Sequence, residues 1–212
     1  MSDALIVHGG WEGHYPREFA ELCAAMLRED GLSVEVSDSL DALGDGLDGL
    51  RLIVPIWTMG TITGDQLSAL VGAVAGGVGL AGFHGGMGDA FREATDFQWM
   101  VGGQFVSHPD GIKDYEVNIV DRDSPITRGL HDFRVTSEQY YMHVDPSNHV
   151  LATTVFDPAS APWVAGTVMP VAWTRRWRDG RVFYSSLGHA PADLDVPEAR
   201  ELLRRGMLWA AR

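Results

Sequence analysis

Apolar and polar positions along the first hundred residues fall into short blocks that alternate between strand-like and helix-like periods. "ALIVH" (4–8) is a β-type run that ends in a Gly-rich loop, Gly9-Gly10-Trp11-Glu12-Gly13-His14. Pro16 opens a helix to about Asp30, and Gly31 closes it, the usual placing of Pro just inside and Gly just outside a helix. "LSVEVS" (32–37) alternates with period two, and "RLIVPIW" (51–57) is a mostly apolar strand. Thr63-x-x-Gln66 has the capping-box pattern, starting a helix to about Ala75, before the strand at 78–83 and a further helix-compatible segment. This β-α-β-β-α-β-α order, with strands apolar on both faces, predicts a parallel sheet covered by helices.

The second half is richer in strands, predicted at 115–120, 137–144, 149–156, 169–177 and 180–189. Arg178-Asp179-Gly180 reads as the hairpin turn between the last two. A closing helix from Pro197 to about Ala211 carries Leu202, Leu203, Met207 and Ala210 on one face. No repeat, linker or low-complexity tract interrupts the chain, so residues 1–212 are expected to form a single domain.

Candidate chemistry concentrates at the predicted strand ends. "VGLAGFHGGMGDAF" (78–91) has the outline of a nucleophile elbow, the tight strand-to-helix turn that lifts one side chain above a sheet. The apex, usually Ser or Cys, is His84, and glycines beside it leave room for close approach. Ligands of parallel sheets bind at the carboxyl ends of strands, which selects His8 to His14, Trp57-Thr58-Met59 and His84 for one crevice. His189 follows Gly188 at another such end, and His108 follows "GGQFVS". Glu138 lies in a β-like run before Tyr140 and Tyr141, either as a solvated edge residue or as a pocket carboxylate. His143 would share a strand face with Tyr141, and His131 and His149 read as surface residues. No HxH, HxxxH or HExxH spacing occurs, so a divalent metal site would have to be assembled from distant segments. The first Gly-rich loop lacks both GxGxxG and Walker A spacing.

Composition narrows the field. With 29 acidic against 16 basic residues, the net charge of −13 disfavours nucleic acid, whose affinity comes mostly from phosphate neutralisation by Lys and Arg. No apolar run approaches the ~18 residues of a membrane span, and the start of the chain does not read as a targeting leader, so a cytoplasmic protein is expected. The single Cys23 excludes an internal disulfide and falls on a helical stripe with Phe19, Leu22, Met26 and Leu27. Trp163 and Trp177 are weak pointers to a homo-oligomer interface.

Taken in order, "GGWEGHYP", "GLAGFHGG", "VGGQFVSHP", "SEQYYMHVDPSNHVLAT", "PVAWTRRWRDGRVFYSSLGH" and "LLRRGMLWAA" resemble the trehalose-utilisation (ThuA-like) family over nearly the whole chain. The resemblance implies an α/β, flavodoxin-like (class I glutamine amidotransferase-like) three-layer fold. Its central sheet would be mainly parallel, with antiparallel strands added in the second half. Amidotransferases carry Cys at the elbow and a later His-x-Glu; here the elbow is His84 and the late segment is His189-Ala190-Pro191. Thioester chemistry needs an activated nucleophile, so no glutaminase activity is expected. The resemblance carries over His14, His84, His108, Glu138 and His189 as the matching polar positions.

It also implies a sugar substrate class, a disaccharide or keto-sugar, with Trp57 and Tyr140 as aromatic walls and Gly85, His108, His143 and His14 beside the ligand. The expected enzyme, a sugar hydrolase, lyase or isomerase, uses His84 and His189 as an acid/base pair with Glu138 as orienting group or base. A non-catalytic sugar-binding or regulatory module and a divalent-metal enzyme using the same residues are the alternatives.

Overall fold

The computed structural model describes residues 2–44, 46–159 and 161–211. The first half follows the predicted order: β1 (Ala4–Gly10), α1 (Pro16–Glu29), β2 (Val34–Ser37), β3 (Leu52–Thr58), α2 (Gly64–Ala75), β4 (Gly79–Phe83) and α3 (His84–Gly88). Next come α4 (Thr95–Val101), β5 (Gly103–Ser107), β6 (Ile112–Ile119), β7 (Phe133–Glu138), β8 (Tyr141–Val144) and β9 (His149–Val155). The chain closes with β10 (Val168–Trp177), β11 (Gly180–Ser185) and α5 (Pro197–Ala210).

Among the described residues the main sheet has nine strands in the order β2-β1-β3-β4-β11-β10-β9-β6-β7. From β2 to β11 every pairing is parallel, and from β11 to β7 every pairing is antiparallel. The parallel part has the doubly wound 2-1-3-4-5 order, with β11 as fifth strand, and its ligand crevice belongs at the carboxyl ends.

Strand alternation divides the apolar residues into two cores. Ala4, Ile6, Leu52, Val54, Ala81 and Phe183 pack with α1 and α5, whereas Leu5, Val7, Ile53, Leu80, Val182 and Tyr184 pack with α2 and α4. Successive strand side chains point to opposite faces, so helix layers cover both sides of the sheet. Cys23 is fully buried in the α1 layer. The capping box forms as predicted: Gln66 N–H donates to Thr63 Oγ1 at 3.2 Å, and Thr63 N–H to Gln66 Oε1 at 3.0 Å.

Several boundaries differ from the sequence reading. The predicted strand 137–144 is two strands in different sheets, because the chain leaves β7 at Gln139-Tyr140 and β8 pairs with β5 in a separate two-stranded sheet. The predicted strand 180–189 ends at Ser185, so His189 stands in the loop beyond it. Of the two tryptophans taken as pointers to an interface, Trp177 is half-buried, edge-on to Trp99 at 5.1 Å, and Trp163 is 81% exposed. No helix among the described residues is long and apolar enough to cross a membrane.

Candidate functional site

Neighbouring parallel strands deliver most of the site. His14 follows β1 in a short 3-10 turn, Thr58 ends β3, His84 follows β4, and His189 lies just past β11. Glu138 arrives from the other side, as the last residue of β7. The elbow is real in geometry: Phe83 is extended, and His84 at φ 46° enters the left-handed region. That conformation costs a side-chain-bearing residue ~1–3 kcal/mol and persists only where its surroundings fix it.

Those surroundings are named groups. His84 Nδ1 lies 2.8 Å from the Ser186 carbonyl oxygen; a carbonyl only accepts, so Nδ1 carries the proton. Nε2 is then an acceptor and receives the Tyr140 hydroxyl at 2.8 Å. Tyr184 donates its hydroxyl to the His84 carbonyl at 2.9 Å. A Cβ on Gly85 would stand 2.6 Å from His14 Nδ1, and one on Gly86 3.0 Å from the Ile56 Cα, so only glycine lets the turn pack this closely.

Glu138 is the centre of the arrangement. Its Oε2 is 3.2 Å from His84 Nε2 and 3.9 Å from His14 Nε2; its Oε1 is 3.3 Å from His189 Nδ1 and 3.6 Å from His108 Nε2. The Tyr115 hydroxyl holds the Glu138 carbonyl at 3.1 Å. Asp193 ties the two sides together, its Oδ2 accepting from the Ser137 hydroxyl and from the His189 backbone N–H. His14 Nδ1 is 2.9 Å from Thr58 Oγ1.

Electrostatics follow from this packing. Burial lowers the His14 imidazole to about 3, with the neighbouring His84 adding to the effect. Burial likewise lowers His84 and outweighs the raising effect of Glu138. For Glu138 burial works upward, but the imidazoles of His189 and His84 outweigh it and hold the carboxyl well below its ordinary range. Glu138 in turn raises His189, against the effect of burial.

The structure therefore brings His14, His84, His108, Glu138, Tyr140 and His189 together, with Gly85 beneath His14. Tyr140 is only 3% exposed and stacks on the His84 ring at 4.1 Å, so it backs that imidazole rather than forming an open wall. Trp57 packs over Gly9 and Gly60, while half-exposed Trp11 meets His14 edge-on at 4.7 Å. His143 is exposed on β8, opposite Gln104, and takes no part in the cluster. His131 and His149 are exposed, as expected.

Sequence reasoning missed Tyr115, Ser186 and Asp193, which act through contacts between distant segments that no local pattern marks. A cleft of about 410 Å³ between Met59–Ile62 and Phe91–Ala94 lies beyond the end of β3; none of the cluster residues line it. Four side chains of the cluster, His14, His84, Glu138 and His189, each offer one ligand-type atom, all within 4.8 Å of one another.

A doubly wound α/β sheet, an elbow that presents imidazole, and a carboxylate ringed by histidines define a class of protein with a buried polar cluster and no covalent nucleophile at its apex. The chain belongs to the trehalose-utilisation (ThuA) family, whose model matches residues 3–210. Among solved structures, ThuA-like proteins from Parabacteroides merdae and Bacteroides uniformis each superpose with a TM-score of 0.80 at 19% identity. Both comparisons cover 98% of this chain, and 88% and 90% of the respective partners. A β-galactosidase from Rahnella contains a similar unit, with a TM-score of 0.63 and 16% identity over 99% of this chain and 30% of the enzyme. These likenesses establish the fold. No protein of curated function matches the chain.

Proposed function

We propose that this protein is an enzyme acting on a disaccharide or keto-sugar by proton transfer at the His/Glu cluster. One observation carries the reading: Glu138, 7% exposed, is surrounded by His14, His84, His108 and His189 at the carboxyl ends of the parallel strands. Membership of the trehalose-utilisation family supports the substrate class.

Removing a proton beside a carbonyl needs one base and one group that polarises the carbonyl oxygen, and no covalent intermediate. Glu138, kept ionised, supplies the base; His189, which Glu138 holds towards its protonated form, polarises the carbonyl oxygen, and the Nε2 lone pair of His84 is placed to take up a proton. His108, with its side chain 41% exposed, is the most solvent-accessible imidazole beside the carboxylate. Acyl transfer in the amidotransferase manner has no support, since the elbow carries imidazole and the sole thiol, Cys23, is buried elsewhere.

The test is turnover of a panel of disaccharides and 3-keto-disaccharides, followed by NMR, with calorimetry on the same compounds. Conversion by the native chain and its loss in His84→Ala, with an unchanged circular dichroism spectrum, is the expected result. Binding without conversion would make the protein a sugar-binding module, and equal rates for both chains would remove His84 from the reaction.

A further inference from the structure

We infer that His14, His84, Glu138 and His189 together hold one divalent first-row transition ion. This rests on the cluster being the reaction centre; it moves the polarising role from the imidazoles to the ion they bind, and with Oε2 on the ion it leaves Oε1 of Glu138 to take the proton. Three features support it, beginning with the direction of the lone pairs. Ser186 fixes the proton of His84 on Nδ1, so its Nε2 lone pair faces Glu138 Oε2 at 3.2 Å. His14 has Nδ1 engaged by Thr58 and so also turns Nε2 inward. A backbone carbonyl or hydroxyl on the outer ring nitrogen is the arrangement that orients metal-binding histidines.

The second feature is a pair of orphaned atoms. Glu138 Oε2 and His189 Nδ1 are buried and have no hydrogen-bond partner, although each points into the cluster. Unsatisfied buried polar atoms cost ~1–3 kcal/mol each, and an ion accepting both lone pairs removes that cost. The Tyr140 hydroxyl, 2.8 Å from His84 Nε2, hydrogen-bonds that lone pair, so an ion bound there takes its place and requires the Tyr140 side chain to give way. The third feature is the donor set itself, with all four atoms within 4.8 Å of one another. Metal–nitrogen and metal–oxygen bonds of about 2.0–2.2 Å place ligand atoms roughly 3–4 Å apart, so small side-chain adjustments suffice. Three imidazoles with one carboxylate suit zinc, nickel, iron or copper; magnesium and calcium prefer oxygen throughout. Half-buried His108 stays outside this set.

The experiment uses the full chain purified without a histidine tag, assayed for metal by mass spectrometry and titrated after chelator treatment with Zn²⁺, Ni²⁺, Mn²⁺ and Mg²⁺. One Zn²⁺ or Ni²⁺ per chain, with no Mg²⁺ binding, is expected. Glu138→Gln and His189→Ala should weaken binding ~100-fold or more, and Thr58→Val, which touches only the outer nitrogen of His14, by ~10–100-fold. His149→Ala, at the exposed pair with Asp121, should change nothing. A folded native chain that binds none of these ions at micromolar concentration overturns the inference, as does binding lost in His149→Ala and kept in Glu138→Gln. No sugar enters the assay, so a failed search for turnover leaves this result intact.

Discussion

At the scale of single residues, His84 shows how a strained position is made to serve a site. Its left-handed backbone is fixed by Tyr184 on its carbonyl, its Nδ1 by Ser186, and its Nε2 by Tyr140 beside Glu138. Gly85 matters for the same reason, since it lets His14 lie directly against the turn. In Gly85→Ala the new Cβ would meet His14 Nδ1 at 2.6 Å and Thr58 Oγ1 at 2.9 Å, so His14 must move. Overpacking of this kind costs ~1–3 kcal/mol. Thermal melts should show that loss, and turnover should fall tenfold or more; a native melting temperature would mean that the pocket is looser than drawn.

Elements rather than residues decide how the site is assembled. Four loops at the ends of β1, β3, β4 and β11 form one side, and the end of β7 closes it with Glu138. The capped start of α2 is a separate, local device. Thr63→Ala should cost ~1 kcal/mol in denaturant unfolding without touching the cluster. The parallel strands were legible because burial on both faces leaves near-continuous apolar runs such as those of β1, β3 and β4. His84, His14 and His189 followed from the rule that such sheets work at their carboxyl ends. Glu138 could not be placed in the same way. "SEQYYMHV" contains no Gly or Pro, so nothing local marks the break at Gln139-Tyr140 where the chain changes sheets. Tyr115, which holds the Glu138 carbonyl, and Asp193, which holds the adjoining Ser137, lie 23 and 55 positions from Glu138 in sequence.

For the whole molecule, two cores sandwich one sheet, and the only cysteine lies deep in one of them. Burial pushes the Cys23 thiol up to about 12, so it stays protonated near pH 8, where thiolate is the reactive form. A disulfide reagent at pH 8 should leave the native chain essentially unmodified and label it fully in denaturant; rapid native labelling would mean that the α1 layer opens readily. The central claim, that Glu138 takes a proton from the carbon beside a sugar carbonyl, has one direct measurement. Native chain and Glu138→Gln are incubated with a 3-keto-disaccharide in D₂O, and deuterium at that carbon is followed by NMR. The account predicts exchange by the native chain and a rate at least ~100-fold lower in Glu138→Gln, consistent with the usual contribution of a positioned base. Equal exchange by both chains would contradict it.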